Sequence, residues 1–230
     1  NGRDVSGDIF LTHAHWDHIQ GIPFFAPLFQ KGNHFTIWGS RSLKRSIDRV
    51  VRDQMSPVVF PVAFEELKAR IDFQELAEEK HAGCGYEVSA MGVRHPGGSL
   101  GYRFTSAKGA GRALVYVSDN ELSPMARYES PPDWRRRLVE FARDASLLVH
   151  DTMYTNEEYP SFVGWGHSTY EDAVELAIEA NVERLVLFHH RPERTDDAVD
   201  ECVERCRALA ASRHSPLEIF AAAEGMTLDV

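Results

Sequence analysis

Near the start of the chain a short apolar run, Ile9-Phe10-Leu11, gives way to a dense polar stretch that ends at Gly21. "GDIFLTHAH" predicts a buried strand running into a loop, and "DHIQGIPFFAPLF" a short helix ended by Pro23 and Pro27. "HFTIWG" predicts a strand. "SRSLKRSIDRVVRDQM" has helical period, with Leu43, Ile47, Val50 and Val51 on one face. Residues 56–70 are punctuated by proline and then briefly helical, which marks an insertion near 54–80. From 71 to 118 the period changes to two, in "IDFQEL", "YEVSAMGVRH", "LGYRFTSA" and "RALVYVSD", with "AKGAG" as a turn between the last pair. A helix over about 133–144 and a strand "SLLVHD" follow. A helix from about 169 then opens with the capping-box spacing Ser168-Thr169-Tyr170-Glu171. The strand "RLVLFHH", a helix over 196–212 and two short terminal strands complete the pattern. Strands grouped first and then alternating with helices predict an α/β sandwich of sheets covered by helices. With no internal repeat or low-complexity linker, residues 1–230 read as a single domain.

Composition narrows the function more than the fold. Of 230 residues, 43% are hydrophobic and 26% charged, as in soluble globular proteins. A net charge of −10 argues against a duplex nucleic-acid partner, which needs a basic footprint. It leaves room for a small anionic substrate held by cations, since bound ions reverse the local field. No apolar run approaches the length of a membrane span. Cys84, Cys202 and Cys206 are odd in number and form no zinc-knuckle pairs, so a reducing cytoplasm is expected. A homodimer is compatible with all of this.

Histidine accounts for only 11 residues, yet "LTHAHWDHIQG" places three histidines and an aspartate within six positions. His13 and His15 are two apart, so in extended chain they point to the same side and can bind one metal ion together. Asp17 and His18 lie beyond the turn and suit a second ion. Ligand-type residues recur where apolar runs stop: His95, Asp119, His150 with Asp151, and His189 with His190. Donors borne on rigid strand ends can converge on one point without ordering a long loop. Imidazole suits zinc, iron or nickel, and carboxylate suits harder ions. Two ions about 3.5–4 Å apart form a hydrolytic pair that activates a shared water.

His13-Ala14-His15-Trp16-Asp17-His18 resembles the HxHxDH signature of the metallo-β-lactamase superfamily, and the later motifs follow in order. The resemblance implies that superfamily's αββα sandwich. "VRHPGG" supplies His95 in the place of the third histidine of the first site. "YVSDNE" supplies Asp119 as the bridging aspartate, and "LFHH" supplies His189, favoured over His190 by its position at the strand end. One ion is then held by His13, His15 and His95, the other by Asp17, His18 and His189. Two divalent ions are implied, zinc first, with manganese or iron as alternatives. "GWGHSTYEDAVELAIEANVERLVLFHH" is similar to the HST segment of ribonuclease Z and the bacterial cyclic phosphodiesterases. That likeness implies that His167 contacts phosphate and protonates the leaving oxygen, oriented by Asp151, and that Asp17 aims the attacking water. Ribonuclease Z has the longer glutamate in the place of Asp151.

The superfamily places two or more strands ahead of the first motif, so the sheet containing residues 8–12 is expected to lack outer neighbours. Nothing in the chain resembles the basic, glycine-rich arm with which ribonuclease Z grips transfer RNA, which favours a small or cyclic phosphodiester. A lactone or thioester hydrolase on the same metals is the nearest alternative, and a non-catalytic metal-binding domain a further one. Trp16 is expected beside the metals, Phe24, Phe25 and Phe29 in the core, and His150 as a satisfied core group. His34, His81 and His214 are expected at the surface. The arginines of "WRRRLVEFARD" read as a solvated face matched by nearby acids.

Overall fold

Three strands in the first third of the chain run the same way, and parallel neighbours need a crossover between them. The computed structural model of the chain describes residues 4–40, 45–76, 78, 80–83, 85–107 and 111–230. Leu43, Cys84 and the centre of the expected turn at 107–111 lie outside the described residues. The chain divides into two compact units, residues 1–77 and 78–230.

In the first unit β1 (Ser6–Phe10), β2 (His34–Ser40) and β3 (Arg70–Leu76) form a parallel sheet in that order. β1 is an edge strand, paired with β2 alone among the described residues, as expected. The first crossover is α1 (Trp16–Ile19) followed by two 3₁₀ turns, Ile22–Phe24 and Ala26–Phe29. The helix stops at Ile19, short of the prolines. Pro23 and Pro27 instead open the 3₁₀ turns, where a missing N–H costs nothing. The second crossover contains α2 (Ile47–Gln54). It starts later than its periodicity suggests, because Ser46 caps it by accepting the Arg49 N–H at 3.4 Å. Ile47, Val51 and Met55 form its buried stripe and join Leu28, Phe35 and Ile37 in the unit's core. At Gly39 of β2 a Cβ would come within 2.9 Å of Ile47, so glycine lets strand and helix approach. Arg70–Leu76, part of the stretch expected as an insertion, pairs along its length with β2. Phe24 and Phe25 are not core residues; at 75% and 39% exposed they flank the prolines on the surface.

The second unit holds a seven-stranded sheet in the order β10-β9-β8-β7-β6-β5-β4. Its strands are β4 (Lys80–Ala82), β5 (Tyr86–Val93), β6 (Ser99–Ser106), β7 (Ala113–Val117), β8 (Leu147–Asp151), β9 (Arg184–Phe188) and β10 (Glu218–Ala221). β4 to β7 meander antiparallel, and β7 to β10 run parallel. The parallel crossovers carry α3 (Trp134–Ala142), α4 (Tyr170–Glu179) and α5 (Asp196–Ser212). Apolar runs in β8 and β9 pack with the inner faces of these helices; Leu138, Leu148, Leu176 and Leu185 are fully buried. Leu148→Ala is expected to lower the unfolding free energy by about 2–5 kcal/mol, read from the midpoint of urea denaturation, because Leu148 is fully buried and truncating it leaves a cavity. The helix arginines are matched as expected: Arg135 with Glu179, Arg136 with Asp133, and Arg137 with Glu78. Only one terminal strand forms; residues 222–230 contribute no second one.

The topology explains where the chemistry collects. β5 is two antiparallel steps from β7, so it runs in the same direction as β7, β8 and β9. The chain therefore leaves all four strands at one end of the sheet. His95, Asp119, Asp151 and His189 sit at or just past those four C-terminal ends, where open α/β sheets place their ligands. Among the described residues no helix is long and apolar enough to cross a membrane.

Candidate metal centre

In the first unit the strand direction carries through Leu11, whose N–H donates to the Trp38 carbonyl at 2.9 Å. After a bend at Thr12 the chain reaches His15, the N-cap of α1, in extended backbone with φ −64° and ψ 149°. His13 and His15 consequently share a side, their ring centroids 4.5 Å apart. The single helical turn then swings His18 back, placing its ring 4.3 Å from that of His13. Asp17 Oδ2 lies 3.4 Å from His18 Nε2. His13 is buried, whereas His15 and Asp17 face solvent. Trp16 lies on this same turn. At 72% exposed it points outward, because the turn that brings His18 inward rotates its neighbour away.

In the second unit Asp119 sits between two histidines. Its Oδ2 is 3.8 Å from His95 Nε2, and its Oδ1 is 3.7 Å from His189 Nε2. Both separations exceed hydrogen-bond length. They are the spacings at which such donor atoms would hold a cation between them rather than bond to each other. The tautomer of His95 agrees: Nδ1–H donates to the Gly166 carbonyl at 3.0 Å, which directs the Nε2 lone pair toward Asp119. His189 has φ +59°, the left-handed region that non-glycine residues enter at a cost of about 1–2 kcal/mol. This turn immediately after β9 brings its ring into place. Buried imidazole and carboxylate donors of this kind suit a borderline ion such as zinc.

His167 and Asp151 form the second element of the site. His167 Nδ1 is 2.8 Å from Asp151 Oδ2, with Asp151 fully buried and His167 nearly so. The shorter aspartate, the last residue of β8, does reach the ring. Asp151 also accepts the N–H groups of Asn120 and Met153, each at 3.1 Å. Burial pushes its carboxyl well above the usual range, and these donors oppose the shift. The His167 ring stacks on His189 at 5.0 Å and lies 5.4 Å from His95.

Two histidines stand apart from this set. His150 is fully buried, with Nδ1 2.8 Å from the Asp151 carbonyl and Nε2 3.2 Å from the Asn120 amide nitrogen. Burial lowers its pKa to about 4, so it is a neutral core group. His190 turns the other way, with Nδ1 3.0 Å from the Tyr170 hydroxyl. His34 is half-buried rather than free at the surface, and pairs with Asp72 at 2.7 Å.

Glu121 was missed by sequence reasoning. Its carboxylate is fully buried and takes four donors: Tyr159 Oη at 2.5 Å and Gly164 N at 2.7 Å on Oε1, Tyr128 Oη and Gly166 N, both at 2.7 Å, on Oε2. The cap of α4 also differs from expectation. Thr169 caps it by accepting the Asp172 N–H at 3.0 Å. Ser168 instead donates to the Asn120 carbonyl and accepts the Leu122 N–H, at 2.5 and 3.2 Å.

Histidine and carboxylate donors gathered at strand ends, beside a buried imidazole–carboxylate pair, define a metal-dependent hydrolase. The chain belongs to the β-lactamase superfamily, whose domain model matches residues 5–190. Within it the relationship is to the ribonuclease Z-like branch. Ribonuclease Z of Myxococcus xanthus is 29% identical over 219 residues, covering 79% of this chain and 69% of that protein. Among solved structures, unliganded yeast PDE1 has a TM-score of 0.68 at 19% identity, over 95% of this chain and 67% of that one. Zn²⁺-bound PqqB from Methylobacterium extorquens has a TM-score of 0.61 at 18% identity, over 97% and 73%.

Proposed function

We propose that this chain is a binuclear phosphodiesterase of the cytoplasm acting on small or cyclic phosphodiesters. The observation that carries the reading is the buried His167–Asp151 pair at 2.8 Å, beside the strand-end donors. Hydrolysis at a carbonyl on the same metals has no need of that pair. His13, His15 and His95 would hold one ion, and Asp17, His18 and His189 the other, with Asp119 a ligand to both. The donor set favours zinc. When bound, such ions supply a water of lowered pKa and neutralise charge on the phosphoryl oxygens.

The chain's own residues do the rest. Asp17 accepts a hydrogen bond from the attacking water and aims it. His167 carries a proton on Nε2 and delivers it to the departing oxygen, while Asp151 holds Nδ1 and fixes the ring. The buried side chains of Cys202 and Cys206, both reduced, suit a reducing compartment. A net charge of −10 and the lack of a basic arm in this sequence favour a small diester over structured RNA.

Purified protein assayed against a cyclic nucleotide, a nitrophenyl diester, a precursor transfer RNA and a lactone separates the readings. Turnover of the first two is expected. Efficient trimming of the RNA with the small diesters untouched would assign a different phosphodiester. Turnover of the lactone alone would make the chain a carbonyl hydrolase.

A further inference from the structure

We propose that Glu121 is the positioning residue that sets His95 and His167 together, by clamping the backbone segment 164–166 between them. This role for His167 rests on the phosphodiesterase reading above; the clamp itself does not.

An ionised carboxylate offers about four lone-pair sites and no donor. Glu121 meets four donors with those sites, two phenols and two backbone amides. Burial, reinforced by hydrogen bonds to Glu121, raises the pKa of both Tyr128 and Tyr159, which keeps them as donors. The two amides belong to Gly164 and Gly166, whose φ values of +88° and +93° turn their N–H groups toward the same carboxylate. Glycine is required at 166 on a second ground. A Cβ there would stand 2.1 Å from His95 Nδ1. The segment is pressed against the histidine it orients.

From that segment two connections reach the chemistry. Gly166 accepts the His95 Nδ1–H at 3.0 Å, which fixes which nitrogen of His95 faces Asp119. The next residue is His167, whose ring then meets Asp151. The other side of the clamp is equally short: Glu121 is two residues from Asp119, and its N–H donates to the Arg94 carbonyl at 2.8 Å. One carboxylate thus ties the strand-end segments bearing His95 and Asp119 to the loop bearing His167. Removing it should loosen the aim of two histidines while the sheet stays intact.

Glu121→Gln tests this. The amide keeps two acceptor sites and turns an NH₂ toward the other pair of donors. In metal-free protein, hydrogen exchange by NMR is expected to show lost protection at the Gly164 and Gly166 amides and at His95 Nδ1–H. Protection in β8 and β9 should be retained. In metal-loaded protein, the rate on a diester with an alkoxide leaving group should fall roughly 10–100-fold further than the rate on a nitrophenyl diester. Tyr159→Phe removes one donor and leaves the carboxylate, so it should shift both readouts the same way by less; it also serves if the glutamine variant does not fold. Protection lost evenly across the chain, or unchanged at 164 and 166, would overturn the clamp. So would equal losses on both diesters where His167→Ala itself separates them. If the unaltered protein cleaves no diester, the phosphodiesterase reading fails, while the exchange experiment still decides the clamp.

Discussion

Replacing His167 with alanine is expected to slow hydrolysis of an alkoxide-leaving diester by roughly 10²–10⁴-fold, the range for general acid catalysis. A nitrophenyl diester should lose far less, because nitrophenolate departs readily as an anion without a proton. This contrast follows from what His167 touches. Its Nδ1 is held by the fully buried Asp151 at 2.8 Å, so the opposite nitrogen is the one aimed outward. Metal content should be unchanged, since His167 is outside the proposed ligand set. Asp151→Asn should give a weaker form of the same pattern, because the histidine remains but loses the carboxylate that orients it. Equal loss on both diesters, or loss of metal, would make His167 a phosphate or metal contact rather than a proton donor.

Stripping divalent ions with a chelator is expected to abolish hydrolysis, and about two equivalents of zinc per chain to restore it. Metal analysis after dialysis measures the stoichiometry directly. The same titration should raise the thermal midpoint, because a ligand that binds only the folded chain stabilises it, by about 2.7 kcal/mol at a hundredfold excess over its dissociation constant. The arrangement of Asp119 adds a sharper expectation. Its two oxygens face different histidines, so Asp119→Ala should weaken retention at both positions rather than one. A chain that holds less than one equivalent, or is fully active without metal, would end the binuclear reading.

Elements whose patterns are settled locally were legible from residue order. α5 begins and ends where its periodicity says, over Asp196–Ser212, and β8 and β9 follow from short apolar runs. The clustering of the first histidines was legible for a related reason, since His13, His15 and His18 are placed by a strand end and one helical turn. What was hidden depends on partners far along the chain. Glu121 reads as one more acid beside Asp119 until Gly164 and Gly166, more than forty residues later, donate to it. Ser168 has the spacing of a cap, but Asn120 and Leu122 engage its hydroxyl and the cap passes to Thr169. Phe24 and Phe25 have the spacing of core residues and are exposed by the turns around them.

His189 has a consequence beyond its place in the site. Its left-handed backbone would suit glycine or asparagine better than a ring-bearing residue. Selection for stability of the metal-free chain alone would therefore tend to replace it, and a library screened without metal only for heat resistance should drift toward His189→Gly or His189→Asn. Thermostable variants recovered in that way would keep the sheet and lose a donor. For this chain, robustness and activity pull apart at a single peptide unit.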